Sequence, residues 1–170
     1  MTTMTAFLRM ADARWLPVMA ALVMGMVLMS WAPVAANGLD QVIVEGVWAR
    51  PAGAGENSAI YFAITNPGAE DVELIGVETD VANIAEIHET VMHMEMVEGR
   101  ISQEMHMHHI HSLLVPAGET VKLQPGGLHL MLIGLKHDLE VGQTFMVRLL
   151  AADGSALNLE VPVSQGEPRG

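Results

Sequence analysis

The residues best suited to chemistry lie between His88 and His111, in the stretch HETVMHMEMVEGRISQEMHMHHIH. This stretch holds six of the eight histidines of the chain and five of the seven methionines that follow residue 36. Methionine alone is typical of a hydrophobic core, but histidine at this density beside it is not. Thioether sulfur and imidazole together are ligands for soft metal ions, above all copper(I). The stretch therefore predicts a soft-metal site.

The sequence Glu98-Gly99-Arg100 predicts a turn between two alternating strands. Side chains alternate between the two faces of a strand, and a two-residue connection pairs even positions of the first strand with odd positions of the second. One face of the predicted hairpin then carries a strip of sulfur and imidazole: His88, Met92, Met94, Met96, Met105, Met107, His109 and His111. The other face carries His93, His106 and His108 among apolar residues. The simpler alternative is an exposed polar hairpin whose methionines pack on the core.

A second candidate pair lies in the segment LHLMLI, residues 128–133. In a strand its leucines share one face, which we expect to be the core face, and His129 and Met131 share the other. Their separation of about 7 Å along the strand lets both side chains reach one metal ion. Neither His129 nor Met131 is expected in the core. A His-x-Met pair is a weak signal alone, but this chain is already rich in the same ligands.

The first 36 residues are predicted to be a secretory signal peptide. Arg9 and Arg14 precede the apolar run Trp15–Trp31, and Val34-Ala35-Ala36 offers small residues for cleavage after Ala36. The apolar run is long, so an uncleaved membrane anchor is the alternative. Both interpretations predict export.

The domain that follows is acidic. Removing residues 1–36 removes two arginines and one aspartate from the totals, which leaves 6 basic and 19 acidic residues and a net charge of −13. This charge argues against nucleic acid and anionic membrane surfaces as partners.

The chain contains no cysteine. No disulfide can hold the fold, and a blue-copper electron carrier, which needs a thiolate ligand, is excluded. A cysteine nucleophile is excluded as well. No Ser/His/Asp order, paired carboxylate motif or phosphate loop stands out, so the sequence favours a protein that is not an enzyme.

The rest of the chain is predicted to form short strands separated by Pro, Gly and Asn turns, with no amphipathic helix. Besides the hairpin, the predicted strands are Gln41–Ala49, Ser58–Thr65, Val72–Thr79, Ser112–Val115, Thr120–Gln124, Leu128–Leu135, Thr144–Ala151 and Ala156–Val163. Residues Asp80–Ala85 are predicted to be a connection with one helical turn. The pattern indicates one all-β domain, residues 37–163, with Greek-key connections in a sandwich or barrel. Residues 164–170 are predicted to be a disordered tail.

These features together resemble the PCuAC family of periplasmic copper(I) chaperones. That family carries a His, a Met about ten residues later and a His-x-Met after about 21 more. The surrounding sequence is similar too, in residues 85–90 (AEIHET), 115–118 (VPAG), 123–127 (LQPGG) and 129–135 (HLMLIGL). The resemblance covers about Val42 to Val163 and implies a cupredoxin-like β-sandwich.

The resemblance implies a copper(I) site made of His88, Met107, His129 and Met131. This chain departs from the family pattern between His88 and Met107, where 18 residues replace about ten. The extra length is the Met- and His-rich part of the hairpin, so Met105, Met92 and Met94 are rivals for the role of Met107. Further candidate metal ligands are Met92, Met94, Met96, Met105, His106, His108, His109 and His111. Copper(II) is the expected guest at the four histidines of this group, because imidazole suits it better than sulfur.

The function implied by the resemblance is to carry copper in the periplasm toward the dinuclear copper centre of cytochrome c oxidase. The expected partners are an oxidase subunit, another cuproprotein or another copper chaperone. The alternative is a periplasmic copper buffer without a specific delivery partner, which the long hairpin favours. A metal-free adhesion sandwich with the hairpin as its binding surface is a third hypothesis. Trp48 and Tyr61 are expected to be packing residues, and His137 to lie in an exposed turn.

Overall fold

The computed structural model describes residues 38–97 and 100–167, with the backbone alone for residues 93–97 and 100–104. The predicted signal peptide lies outside the described residues, as do residues 168–170. Within the described part of the chain, no helix is long and apolar enough to cross a membrane. Cleavage after Ala36 and disorder of the tail stay predictions.

The described chain is all-β apart from a single 3-10 turn at Gly38–Asp40. The strands are β1 (Ile43–Ala49), β2 (Ser58–Thr65), β3 (Val72–Thr79), β4 (Ala82–Val97), β5 (Arg100–His109), β6 (Leu113–Val115), β7 (Thr120–Leu123), β8 (Leu128–Leu135), β9 (Thr144–Ala151) and β10 (Ala156–Pro162). The predicted fold class is confirmed. Four strands, β2, β3, β8 and β9, have the predicted bounds.

The strands form two antiparallel sheets. One has the order β1-β2-β8-β4-β5, with β7 also paired to β2, and the other has the order β10-β9-β3-β6. The apolar faces of the two sheets enclose one core, in which Ile60, Leu130 and Leu149 are fully buried. Non-consecutive neighbours such as β8 and β4 mean that the chain crosses between sheets, as the predicted Greek-key connections require.

The predicted connection Asp80–Ala85 is wrong. Only Asp80 and Val81 separate β3 from β4, and β4 is already paired with β8 from Ala82 onward. The composition of this segment favoured a helical turn, but pairing with a central strand overrides such local preference because it supplies hydrogen bonds and burial. The consequence for the site is that His88 sits in the middle of one long strand.

Strand β4 has different neighbours along its length. Its first half pairs with β8, from Ala82 to Glu89, and its second half pairs with β5, from His88 to Val97. The hairpin β4–β5 therefore leaves the sandwich near His88. Val97 pairs with Arg100, which confirms the two-residue connection and the predicted register of the hairpin. That register places His88, Met92, Met105, Met107 and His109 on one face.

Candidate metal centre

Three histidines lie in one row across three neighbouring strands. His88 on β4 is directly opposite His129 on β8 and directly opposite His109 on β5. The ring centres are 5.9 Å apart for His88 and His129, and 5.7 Å apart for His88 and His109. The row lies where the hairpin leaves the sandwich. Its His129 end is buried, and its His109 end is exposed to solvent.

The ring of His129 is held by a single hydrogen bond from its Nδ1 to the carbonyl oxygen of Gly127, at 3.0 Å. Because a carbonyl oxygen only accepts, Nδ1 carries the proton and Nε2 of the neutral ring keeps its lone pair. The same carbonyl accepts the backbone N–H of Thr90, at 3.1 Å. The turn Pro125–Gly127 thus contacts β4 and orients the ring of His129, and a hydrogen bond of this kind is usual behind a metal-binding histidine.

His129 is buried, which corrects the expectation that it lies outside the core. The residue is 4% exposed. It packs on the outer face of its sheet, beside the small apolar cluster of Trp48, Ala59 and Tyr61, and the ring centre of Tyr61 is 6.3 Å away. The strand pattern assigned His129 to the correct face, but the cluster that covers this face is built by β1 and β2. Trp48 and Tyr61 are confirmed as packing residues.

The ring of His88 is oriented by a carboxylate on its own strand. Its Nε2 lies 2.9 Å from Oε2 of Glu86. A carboxylate can only accept, so Nε2 donates and the lone pair of the neutral ring is on Nδ1. That Nδ1 is buried and has no hydrogen-bond partner among the described residues. A buried nitrogen without a partner is costly in a folded protein, and coordination of a metal ion would satisfy it.

The same contact changes the acidity of Glu86. The hydrogen bond from His88 is the main cause that holds the pKa of the Glu86 carboxyl below its usual value, and the charge that His109 and His88 carry when protonated lowers it further. Glu86 therefore remains an ionised acceptor for the His88 N–H at neutral pH, as a carboxylate behind a metal-binding imidazole does.

Methionine sulfurs complete the donor set. Met131 on β8 pairs with Ala59 on β2 and with Glu86 on β4, so it is one row from His129 on the same face. Met131 and His129 line a cavity of about 340 Å³ together with Met105 and Met107. A larger groove of about 570 Å³ lies nearby, but its lining contains neither histidine nor methionine. The smaller cavity is therefore the candidate metal centre. His88 is not part of its lining and lies beside it, next to His129.

Met107 and Met105 reach the cavity from the hairpin. Met107 pairs with Thr90 and Met105 pairs with Met92, one and two rows beyond His88. Both are largely exposed, Met107 to 61% and Met105 to 70%. Both therefore have the freedom to move towards His88 and His129, and the geometry leaves the choice between them open.

The other predicted ligands are distributed along the hairpin. His109 and His111 are exposed, with ring centres 5.0 Å apart, and His109 adjoins His88. His106 and His108 are on the opposite face, with ring centres 6.3 Å apart. Met92 is half exposed beside Met105. The backbones of Met94 and Met96 pair with Gln103 and Ile101.

Sequence reasoning missed Glu86 and the turn at Gly127. The spacing of Glu86 and His88, two residues apart in a strand, places both on one face and could have signalled the carboxylate. Nothing in the sequence shows that the carbonyl of Gly127 faces His129, because that contact depends on the shape of the turn.

Comparison with known proteins identifies relatives over this same domain. Residues 42–163 match the family described as “Putative lipoprotein LpqE-like”. A relative in Leifsonia xyli subsp. xyli (strain CTCB07), named “Putative lipoprotein Lxx21020”, is 35% identical over 124 residues, which are 73% of this chain and 70% of the relative.

Solved structures share the fold. The solution structure of CuI-DR1885 from Deinococcus radiodurans is 30% identical, with a TM-score of 0.55 over 78% of this chain and 83% of that one. A copper-bound PCuAC domain from PmoF2 is 18% identical, with a TM-score of 0.56 over 75% of this chain and 94% of that one. These likenesses confirm the resemblance to PCuAC domains and the cupredoxin-like β fold predicted from the sequence.

Proposed function

The chain belongs to the LpqE-like family, and on that premise we propose that it binds copper(I) and carries it outside the cytoplasm. The observation that carries the proposal is the pair of oriented imidazoles, His88 and His129, beside a cavity lined by methionine. The 30% identical structure from Deinococcus radiodurans is that of CuI-DR1885, which supports copper(I) as the cargo of the same fold.

The donor set favours copper(I) over other ions. His88 Nδ1 and His129 Nε2 offer two neutral nitrogens, and Met131 with Met107 or Met105 offers two thioether sulfurs. Thioethers suit soft ions, whereas zinc sites are built from thiolates, imidazoles and carboxylates. Neutral ligands also bind a monovalent ion without the proton release that thiolates need.

The openness of the site suits a carrier. His129 is buried and His88 is partly buried, but Met105 and Met107 are exposed on a hairpin that projects from the sandwich. An acceptor can therefore replace the methionines first and the histidines afterwards, so copper is never released into water. No bond of a substrate is made or broken, so the proposal includes no enzymatic activity.

The proposed acceptor is a cuproprotein of the same compartment, such as the subunit of cytochrome c oxidase that holds the dinuclear copper centre, or another copper chaperone. Export is supported by the leader in residues 1–36 and by the family description. None of the 170 residues is cysteine, so a lipid attached through a cysteine is not available to this chain. We therefore propose a free periplasmic protein if the leader is cleaved after Ala36, and a membrane-anchored one if it is kept.

A copper(I) titration against a chromophoric competitor tests the proposal. We expect one tight copper(I) site that a large excess of zinc(II) leaves occupied. Equal competition by zinc for that site would contradict the proposal. Cell fractionation and the mass of the mature protein test the compartment and the cleavage site.

The second candidate function is a copper buffer without a delivery partner. The observation that favours it is the length of the hairpin, which carries methionines and histidines beyond the four proposed ligands. Transfer measurements separate the two functions. A carrier passes its copper to an apo acceptor faster than free diffusion of released copper allows, whereas a buffer passes it only at the rate of release.

A further inference from the structure

A second group of imidazoles continues the row of histidines out to the surface. His109 is next to His88 in the row, and His111 is next to His109, with ring centres 5.0 Å apart. Both His109 and His111 are exposed. Neither belongs to the cavity that holds His129 and the methionines.

The distance between these two rings fits a shared metal ion. Metal–nitrogen bonds of about 2.0 Å place the centres of two imidazoles on one ion at most roughly 6 Å apart. The separation of His109 and His111 is well within this limit and shorter than the 5.7 Å between His109 and His88, whereas His106 and His108, at 6.3 Å, are at or beyond it.

The backbone between the two rings is fixed. Ile110, which separates them, donates its N–H to the carbonyl of Ile87 at 2.9 Å and packs against the core. His109 and His111 therefore project from an anchored segment, although β5 ends at His109. An anchored pair loses little conformational freedom when it binds an ion, which favours binding.

We propose that His109 and His111 form a separate site for copper(II). Within the described part of the chain, no three His, Asp or Glu side chains are grouped to hold one ion, so the site has two protein nitrogens and water in its other positions. Imidazole and water suit copper(II), whereas the methionine-lined cavity suits copper(I). The inference extends the proposed copper-carrying function, although its own measurement does not require that function.

The test uses the full chain carrying His129→Asn and Met131→Leu, so that the cavity no longer competes. Copper(II) is added as the free ion and followed by electron paramagnetic resonance and visible absorption. We expect a signal with nitrogen couplings from imidazole, and we expect His109→Asn with His111→Asn to weaken the tightest copper(II) binding at least tenfold.

The matched control is His106→Asn with His108→Asn, which removes the same number of imidazoles from the same hairpin. This variant should keep the nitrogen couplings and the tight binding. Unchanged binding in the His109/His111 variant, or equal loss in both double variants, would overturn the proposal. Circular dichroism shows whether each variant is folded, and the single variant His111→Asn repeats the test should the double variant unfold.

The two proposals fail separately. If the His109/His111 variant loses the copper(II) site but the unaltered chain binds no copper(I), only the proposed function is contradicted. If the chain binds copper(I) tightly but gives no copper(II) signal from His109 and His111, only the second site is contradicted.

Discussion

His88 and His129 are directly opposite each other on β4 and β8, yet each presents a different ring nitrogen. His88 donates from Nε2 to Glu86 and keeps the lone pair of Nδ1, whereas His129 donates from Nδ1 to Gly127 and keeps the lone pair of Nε2. The two hydrogen bonds decide which atoms can bind metal.

Removal of the ligands from β8 should abolish the tightest copper(I) site. His129→Asn keeps a donor for the Gly127 carbonyl but removes Nε2, and Met131→Leu keeps apolar volume but removes sulfur. We expect each to weaken copper(I) binding by at least about 100-fold, since even partners behind the ligands are worth 10- to 100-fold. Competition titration measures the loss.

Matched controls exist on the other parts of the domain. Met146→Leu changes a half-exposed methionine of β9, and His137→Asn changes an exposed histidine. Both should leave copper(I) affinity unchanged. Suppose that Met131→Leu keeps the tightest copper(I) affinity and that removal of the hairpin methionines abolishes it. The copper(I) site would then lie in the hairpin alone. Because His129 is buried, His129→Ala should also lower the free energy of unfolding. His129→Asn should lower it less.

Met107 and Met105 should replace each other in part. They are one row apart on the same face of the exposed hairpin, so either sulfur can approach His88 and His129. We expect Met107→Leu and Met105→Leu to weaken copper(I) binding slightly each, and the double variant to weaken it by more than the sum of the two free-energy changes. A loss in Met107→Leu as large as in the double variant would show that Met107 alone is the ligand.

Glu86 should act on affinity through His88. Glu86→Ala removes the acceptor that orients the ring, and we expect copper(I) binding to weaken by about 10- to 100-fold. Glu86→Gln, whose side-chain oxygen can still accept, should weaken it less. Glu78→Ala is the control, because Glu78 is an exposed carboxylate that pairs with Arg148 on the other sheet. Equal copper(I) affinities in Glu86→Ala, Glu86→Gln and Glu78→Ala would show that Glu86 does not contribute to the site.

Asp153 should make stability depend on pH at the turn between β9 and β10. Its Oδ1 accepts the N–H of Ser155 at 2.9 Å and the hydroxyl of Ser155 at 2.6 Å, and these bonds lower the pKa of Asp153 from 3.8. A carboxylate whose pKa is lowered by folding stabilises the fold at pH values above its usual pKa. This contribution is lost as the pH falls through the lowered pKa.

The measurement is urea unfolding of the unaltered chain and of Asp153→Asn. We expect the variant to be less stable at pH 7 by about 1 kcal/mol or less, because the group is at the surface. The difference should shrink as the pH falls below 3.8, since the native carboxyl then becomes neutral too. A difference that stays constant down to pH 2 would show that the charge of Asp153 plays no part.

The sequence by itself determined the features that depend on neighbours along the chain. Alternation with period two places His129 and Met131 on one face of β8, and the short turn sets which hairpin residues share a face with His88. The bounds of β8 were predicted for the same reason: its apolar pattern begins after Pro125-Gly126-Gly127 and ends before the charged residues that follow Leu135. Ligand types, the all-β class and the absence of thiolate chemistry also followed directly from residue identity.

The tertiary structure decided what depends on strands that are far apart in the chain. The register between β4 and β8 places His88 opposite His129, and that register is set by packing of the two sheets rather than by either strand. The ring of Tyr61 on β2, which packs on Trp48 of β1, lies beside the buried His129. The continuity of β4 through residues 82–85 was missed for the same reason, because its hydrogen-bond partners are on β8 and local sequence carries no record of them.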